Sequence, residues 1–81
     1  MKKGRDESLV LIGKRIREVR EATGITQDQA ALEIGFSRSY YGEVERGVRN
    51  ISALNLVKVA TNFNVEVGDL LPSIKLLQKD I

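Results

Sequence analysis

Residues 26–47 read TQDQAALEIGFSRSYYGEVERG, and this stretch decides the fold. Thr26 is a good helix N-cap, and Gln29 three residues on completes a capping box. Asp28 places negative charge in the first turn, where it complements the helix dipole. The helix so started runs to about Ile34, and Gly35 stops it by entering the left-handed conformation that other residues resist. Ser37 caps a second helix, Arg38 to about Arg46, which Gly47 ends in the same way. Ala31 is small enough for a neighbouring helix to cross closely. Ile34, Phe36, Tyr41 and Val44 are the apolar groups around the corner. Adjacent helical residues point about 100° apart, so Tyr41 is expected inward and Tyr40 outward. Helix, glycine turn, helix at this spacing is the arrangement in which the second helix enters the DNA major groove.

The flanks continue the helical pattern. Upstream, Leu9, Ile12, Ile16, Val19 and Thr23 recur at intervals of three and four, which predicts one buried face. Lys14, Arg15, Arg17, Glu18 and Glu21 fill the other face, and Gly24 is the expected stop. Downstream, Ser52 is expected to cap a fourth helix with Leu56, Val59, Ala60 and Phe63 inward. A fifth, short helix is expected around Val67 to Leu71, ended by Pro72, and Ile74 and Leu77 suggest a further C-terminal turn. The expected fold is all-α, a compact five-helix domain over residues 8–72. Residues 1–7 are expected as a charged, solvated arm and residues 73–81 as a C-terminal dimer or partner contact.

Composition narrows the function. The 81 residues amount to one small domain with a thin core. There is no Cys and no His. That removes thiolate chemistry, the commonest general base and the usual zinc ligand, so an enzyme is not expected. No cofactor, metal or small-molecule ligand is expected either. The net charge is +2, and the excess lies within residues 1–50, which hold 10 basic and 8 acidic groups. No apolar run approaches the roughly 20 residues of a membrane span. The N-terminal apolar stretch is too short for a signal peptide, so a cytoplasmic protein is expected.

The motifs Gly24-Ile25-Thr26-Gln27, Ala31, Gly35, Ser37-Arg38-Ser39-Tyr40 and Glu45-Arg46-Gly47 resemble the XRE-type helix-turn-helix family, which includes the phage repressor and Cro proteins. The resemblance spans roughly Ile12 to Leu71 and implies a lambda-repressor-like fold. The piece Arg46-Gly47-Val48-Arg49-Asn50-Ile51-Ser52 most resembles the small restriction–modification controller proteins. What the resemblance implies is a homodimeric transcription regulator, repressor or activator, reading a pseudo-palindromic double-stranded DNA operator.

By position in that family, Arg38, Ser39 and Glu43 correspond to base-reading residues. Arginine can pair with guanine O6 and N7, and a carboxylate can accept from cytosine N4. Gln27, Ser37, Tyr40, Arg46, Arg49 and Asn50 correspond to phosphate contacts, which set register without reading sequence. Arg20 and Glu45 correspond to a buried ion pair, which fixes geometry more than it stabilises. Phe63, Val65, Val67, Leu70, Leu71 and Ile74 are the expected dimer face. Ala30, Ile34, Tyr41 and Gly42 depart from the family pattern, and a mid-helix glycine costs about 1 kcal/mol against alanine. The alternative is an antitoxin-type module, with residues 73–81 as the helix that binds a partner protein.

Overall fold

The computed structural model describes residues 6–73. Among these are four α-helices, α1 (Glu7–Thr23), α2 (Gln27–Ile34), α3 (Arg38–Arg46) and α4 (Ala53–Phe63), followed by a single 3-10 turn, Val67–Leu70. The domain is all-helical.

Short polar side chains start each α-helix. Asp6 accepts from the Ser8 amide, Ser37 from that of Tyr40 and Ser52 from that of Asn55. At α2, Thr26 and Gln29 close a reciprocal box, each satisfying the other's backbone N–H. The helix ends are left-handed: Gly24, Gly35 and Gly47, and Asn64 after α4. At Gly35 (φ 92°) the chain reverses tightly enough for α3 to cross α2. The expected fifth helix is only the 3-10 turn. Leu71 is extended (φ −104°, ψ 137°), because a following proline disfavours the α region for the residue before it. The segment expected to form a last helical turn, from Ile74 onward, and the first five residues of the expected arm lie outside the described residues.

The core gathers Ile16 from α1, Ala30 and Ala31 from α2, Tyr41 and Val44 from α3, and Leu56, Val59, Ala60 and Phe63 from α4, with Leu70 closing over them. Burying a side chain such as Leu or Phe contributes roughly 1.5–3 kcal/mol. Ala30 and Ala31 leave room for α3 and α4 to approach α2. Ile34 is only half-buried against the same core. Phe63 and Leu70, expected on the dimer face, belong to this core. They are 8% and 0% exposed within a single protomer, so their surface is already used. Val65 and Val67 are half-buried, Leu71 stays exposed, and Ile74 lies outside the described residues.

On α1, Ile16 is fully buried and Ile12 and Val19 partly so. Thr23 is on the surface, its hydroxyl donating to the Arg20 carbonyl at 2.7 Å. The closest approach falls instead at Gly13, which is buried against α3. A Cβ built there would fall on the carbonyl oxygen of Val44 and 2.5 Å from that of Glu45. The two helices meet backbone to backbone, and only glycine permits it.

Candidate nucleic-acid interface

The far end of α3 is locked to the rest of the protein through one carboxylate. Glu45 accepts from Arg20 Nε at 2.7 Å and Nη2 at 3.1 Å, one oxygen to each nitrogen. This is the two-pronged geometry that makes arginine–carboxylate pairs strong. Arg20 Nη1 also donates to the Ile25 carbonyl in the α1–α2 turn at 2.9 Å. Gln27, the first residue of α2, donates from Nε2 to Glu45 Oε1 at 2.8 Å. One buried ion pair therefore ties together α1, the turn after it, α2 and α3.

Burial works to raise the Glu45 carboxyl. The hydrogen bonds from Arg20 and Gln27, with the neighbouring Tyr41 hydroxyl, outweigh it and hold the group below the usual carboxylate range. Arg20 is held above its ordinary value, first by its hydrogen bond to Glu45. Tyr41 is fully buried. Its hydroxyl has no partner at hydrogen-bonding geometry, and burial is the main cause of its strongly raised pKa.

The start of α3 is exposed. Ser37 is engaged as the cap, its Oγ accepting from the Tyr40 amide at 3.0 Å. Arg38 and Ser39 project from the first turn into solvent. The Arg38 side chain is 80% exposed and its Nε lies 2.7 Å from Asp28 Oδ1 on α2. An open cleft of about 330 Å³ runs between the two helices, lined by Gln27, Arg38, Ser39, Gly42, Glu43 and Arg46. Gly42 forms its floor: a Cβ there would stand 3.3 Å from an Arg46 nitrogen and 3.6 Å from Gln27 Oε1. The departure at this position thus opens space at the surface where the helices converge.

Beyond α3, Arg49 and Asn50 are exposed in the loop. Arg49 donates to Glu43 Oε1 from Nε at 3.0 Å and from Nη2 at 2.8 Å. Its guanidinium carbon also lies 5.6 Å from the centre of the Tyr40 ring, within cation–π range. Tyr40 is half-buried rather than fully outward. Its ring meets Phe36 edge to face at 5.0 Å, and its hydroxyl accepts from Asn55 Nδ2 at 3.0 Å.

The structure thus gathers Gln27, Arg38, Ser39, Glu43 and Arg46 around one cleft, with Tyr40 and Arg49 packed beside it. Sequence reasoning missed three neighbours. Lys14 and Arg17 of α1 line a second groove together with Gln27, Glu45 and Arg46. Their spacing of three residues was the available signal, but it reads equally as a solvated helix face. Asn55 gave no signal beyond lying in the first turn of α4.

The arrangement offers cationic and amide donors on a protruding helix end, with no group of three or more His, Cys, Asp or Glu placed to hold a metal among the described residues.

Comparison with known proteins places this geometry. Residues 16–70 match the helix-turn-helix family. The chain is 30% identical over 67 residues to the control protein C.MunI of a Mycoplasma species, covering 82% of this chain and 90% of that protein. It is 33% identical to the control protein C.BamHI of Bacillus amyloliquefaciens, over 76% of this chain and 78% of that protein. The crystal structure of the restriction-modification controller protein C.AhdI from Aeromonas hydrophila superposes with a TM-score of 0.78. It shares 45% identity, covering 80% of this chain and 98% of that one. The chain belongs to the helix-turn-helix family of the XRE type.

Proposed function

We propose that this protein is a sequence-specific transcription regulator that binds a pseudo-palindromic operator as a homodimer and controls a restriction–modification system. One observation carries the reading: the first turn of α3 projects Arg38 and Ser39 into solvent while the opposite end of the helix is locked at Glu45. In a helix-turn-helix protein those first-turn residues meet base edges in the major groove. Arg38 reads guanine by pairing with O6 and N7, and Ser39 reads its neighbour. Gln27, Ser37, Tyr40, Arg46, Arg49 and Asn50 take the phosphates on either side. Arg38 exchanges Asp28 for DNA on binding. That exposed pair is worth only ~0–1 kcal/mol, so the exchange is cheap.

Two such helices related by a two-fold axis, about 34 Å apart, fall into successive major grooves on one side of the duplex. Val65, Val67 and Leu71 supply part of the dimer face. Leu54 and Val57 of α4, 66% and 46% exposed, are further apolar groups that a single protomer leaves in water. No helix among the described residues is long and apolar enough to cross a membrane, and action on DNA places the protein in the cytoplasm. The reading as a partner-neutralising antitoxin draws no support from the relatives, which are control proteins and helix-turn-helix regulators.

Selection of bound duplexes from a random DNA pool tests the proposal. Enrichment of two inverted half-sites one helical turn apart is expected. A pool that stays random, or a single unpaired half-site bound by a monomer, overturns it.

A further inference from the structure

We propose that Glu43 is a positioning residue, which sets Arg49 against the Tyr40 ring for phosphate contact and does not itself read a base. The inference rests on the DNA-binding reading above and departs from the base-reading role that the family position suggested. Both Arg49 nitrogens that reach Glu43 donate to the same oxygen, Oε1. One edge of the guanidinium is thereby occupied, and the Nη1 edge is left to turn outward. The guanidinium also lies over the ring of Tyr40, its carbon 5.6 Å from the ring centre. Tyr40 is itself wedged by Phe36 and hydrogen-bonded by Asn55 of α4. Arg49 is thus held from two directions by groups anchored on α3 and α4, although it sits in a loop and carries a side chain with many rotamers.

Burial agrees with this division of labour. The Glu43 side chain is 31% exposed and that of Arg49 is 53% exposed. The carboxylate is the more covered of the two, and the cation is the more available. A carboxylate facing phosphates without a cation between them would repel the duplex. With Arg49 attached, the pair presents donors instead. Ordering an arginine before binding lessens the rotamer freedom lost when it meets phosphate.

The test is a double-mutant cycle on the full chain, using the operator found by selection and a scrambled duplex at one fixed salt concentration. Glu43→Ala is expected to weaken operator binding about two- to fivefold, the size an exposed ion pair allows. The preferred base at every operator position is expected to stay the same. Glu43→Gln, which keeps an acceptor oxygen, is expected to restore most of the affinity. In an Arg49→Ala background, Glu43→Ala is expected not to weaken binding at all. An equal loss with and without Arg49, or a changed preference at one base pair, makes Glu43 a base reader and overturns the proposal. Tighter binding of Glu43→Ala in both backgrounds makes it a simple repulsive charge, which also overturns it. Thermal melts of each variant separate a folding defect from these outcomes, and Glu43→Gln keeps the cycle readable if Glu43→Ala melts early. A wild-type chain that prefers no duplex defeats the regulator reading first, before any variant is compared.

Discussion

Replacing Gly13 by alanine sets two opposed effects against each other within one helix. Intrinsic propensity favours alanine over glycine in a helix interior by about 1 kcal/mol. The packing of α1 on α3 opposes it. The new Cβ would lie 2.5 Å from the Glu45 carbonyl oxygen and 2.9 Å from its carbon, and would fall on the Val44 oxygen as well. Carbon–oxygen contacts settle near 3.3 Å, so the helices must part by about 1 Å to clear the nearer, Val44 oxygen. The atoms in the way are backbone, which cannot rotate aside. Overpacking of this kind costs about 1–3 kcal/mol, and two carbonyls in contact place this site at the upper end. The net expectation is a loss of about 2 kcal/mol. A domain this size shifts by about 4–8 °C per kcal/mol, so the midpoint of thermal unfolding should fall by about 8–16 °C. Far-UV circular dichroism melts measure it. Gly68→Ala serves as the control, since a Cβ there meets nothing within 4 Å. That change should be neutral or stabilising by up to about 1 kcal/mol. A Gly13→Ala protein that melts at or above the wild-type temperature would refute the backbone contact between α1 and α3.

Other perturbations probe the lock and the reading surface. Glu45→Ala leaves the buried Arg20 without its counter-charge and should cost about 3–5 kcal/mol in chemical denaturation; a loss below 1 kcal/mol contradicts the burial of the pair. Because the Glu45 carboxyl is lowered in the folded protein, its contribution is complete above the unfolded value near pH 4.3 and disappears as pH falls through the lower, folded one. Denaturation midpoints should therefore hold level through neutral pH and decline in acid. Glu45→Gln should show a shallower decline. Arg38→Ala should leave stability within about 0.5 kcal/mol while removing the preference for the operator over scrambled DNA; a salt-matched titration in which the preference survives rules out its base-reading role. Arg46→Ala should weaken all duplexes evenly and reduce the log–log salt slope by about 0.9 per protomer. An unchanged slope would take Arg46 off the phosphates.

Much of the frame is legible in the sequence because it is written in local chemistry. Thr26 with Gln29, Ser37 and Ser52 announce helix starts through short side-chain contacts that need only three residues of chain. Gly24, Gly35 and Gly47 announce the ends through φ alone. What depends on distant neighbours is less legible. Gly13 stands out in no pattern of the sequence, whereas the fold packs the backbone of α3 directly against it. Leu70 reads as a surplus apolar group, and only the folded chain shows that it returns to cover the core. The pairing of Glu43 with Arg49 spans six residues across a left-handed turn, a separation that no helical periodicity brings together. The same holds for Asn55 and Tyr40, fifteen residues apart.

The lock at Glu45 makes α3 a lever with two unlike ends. One is built from Val44, Glu45 and the backbone against Gly13, and the other, steadied by Tyr40, presents Arg38 and Ser39 to solvent. At 1.5 Å per residue the two ends of this lever are about 9 Å apart. Residues at the exposed end can be exchanged at little cost to the scaffold, since Arg38 and Ser39 lie in solvent. Changes at the buried end do the reverse: they keep Arg38 and Ser39 themselves but disturb the packing that orients both. If the proposed reading of DNA holds, new operator preferences are therefore cheapest to reach through residues 38 and 39, which can change while the fold is held.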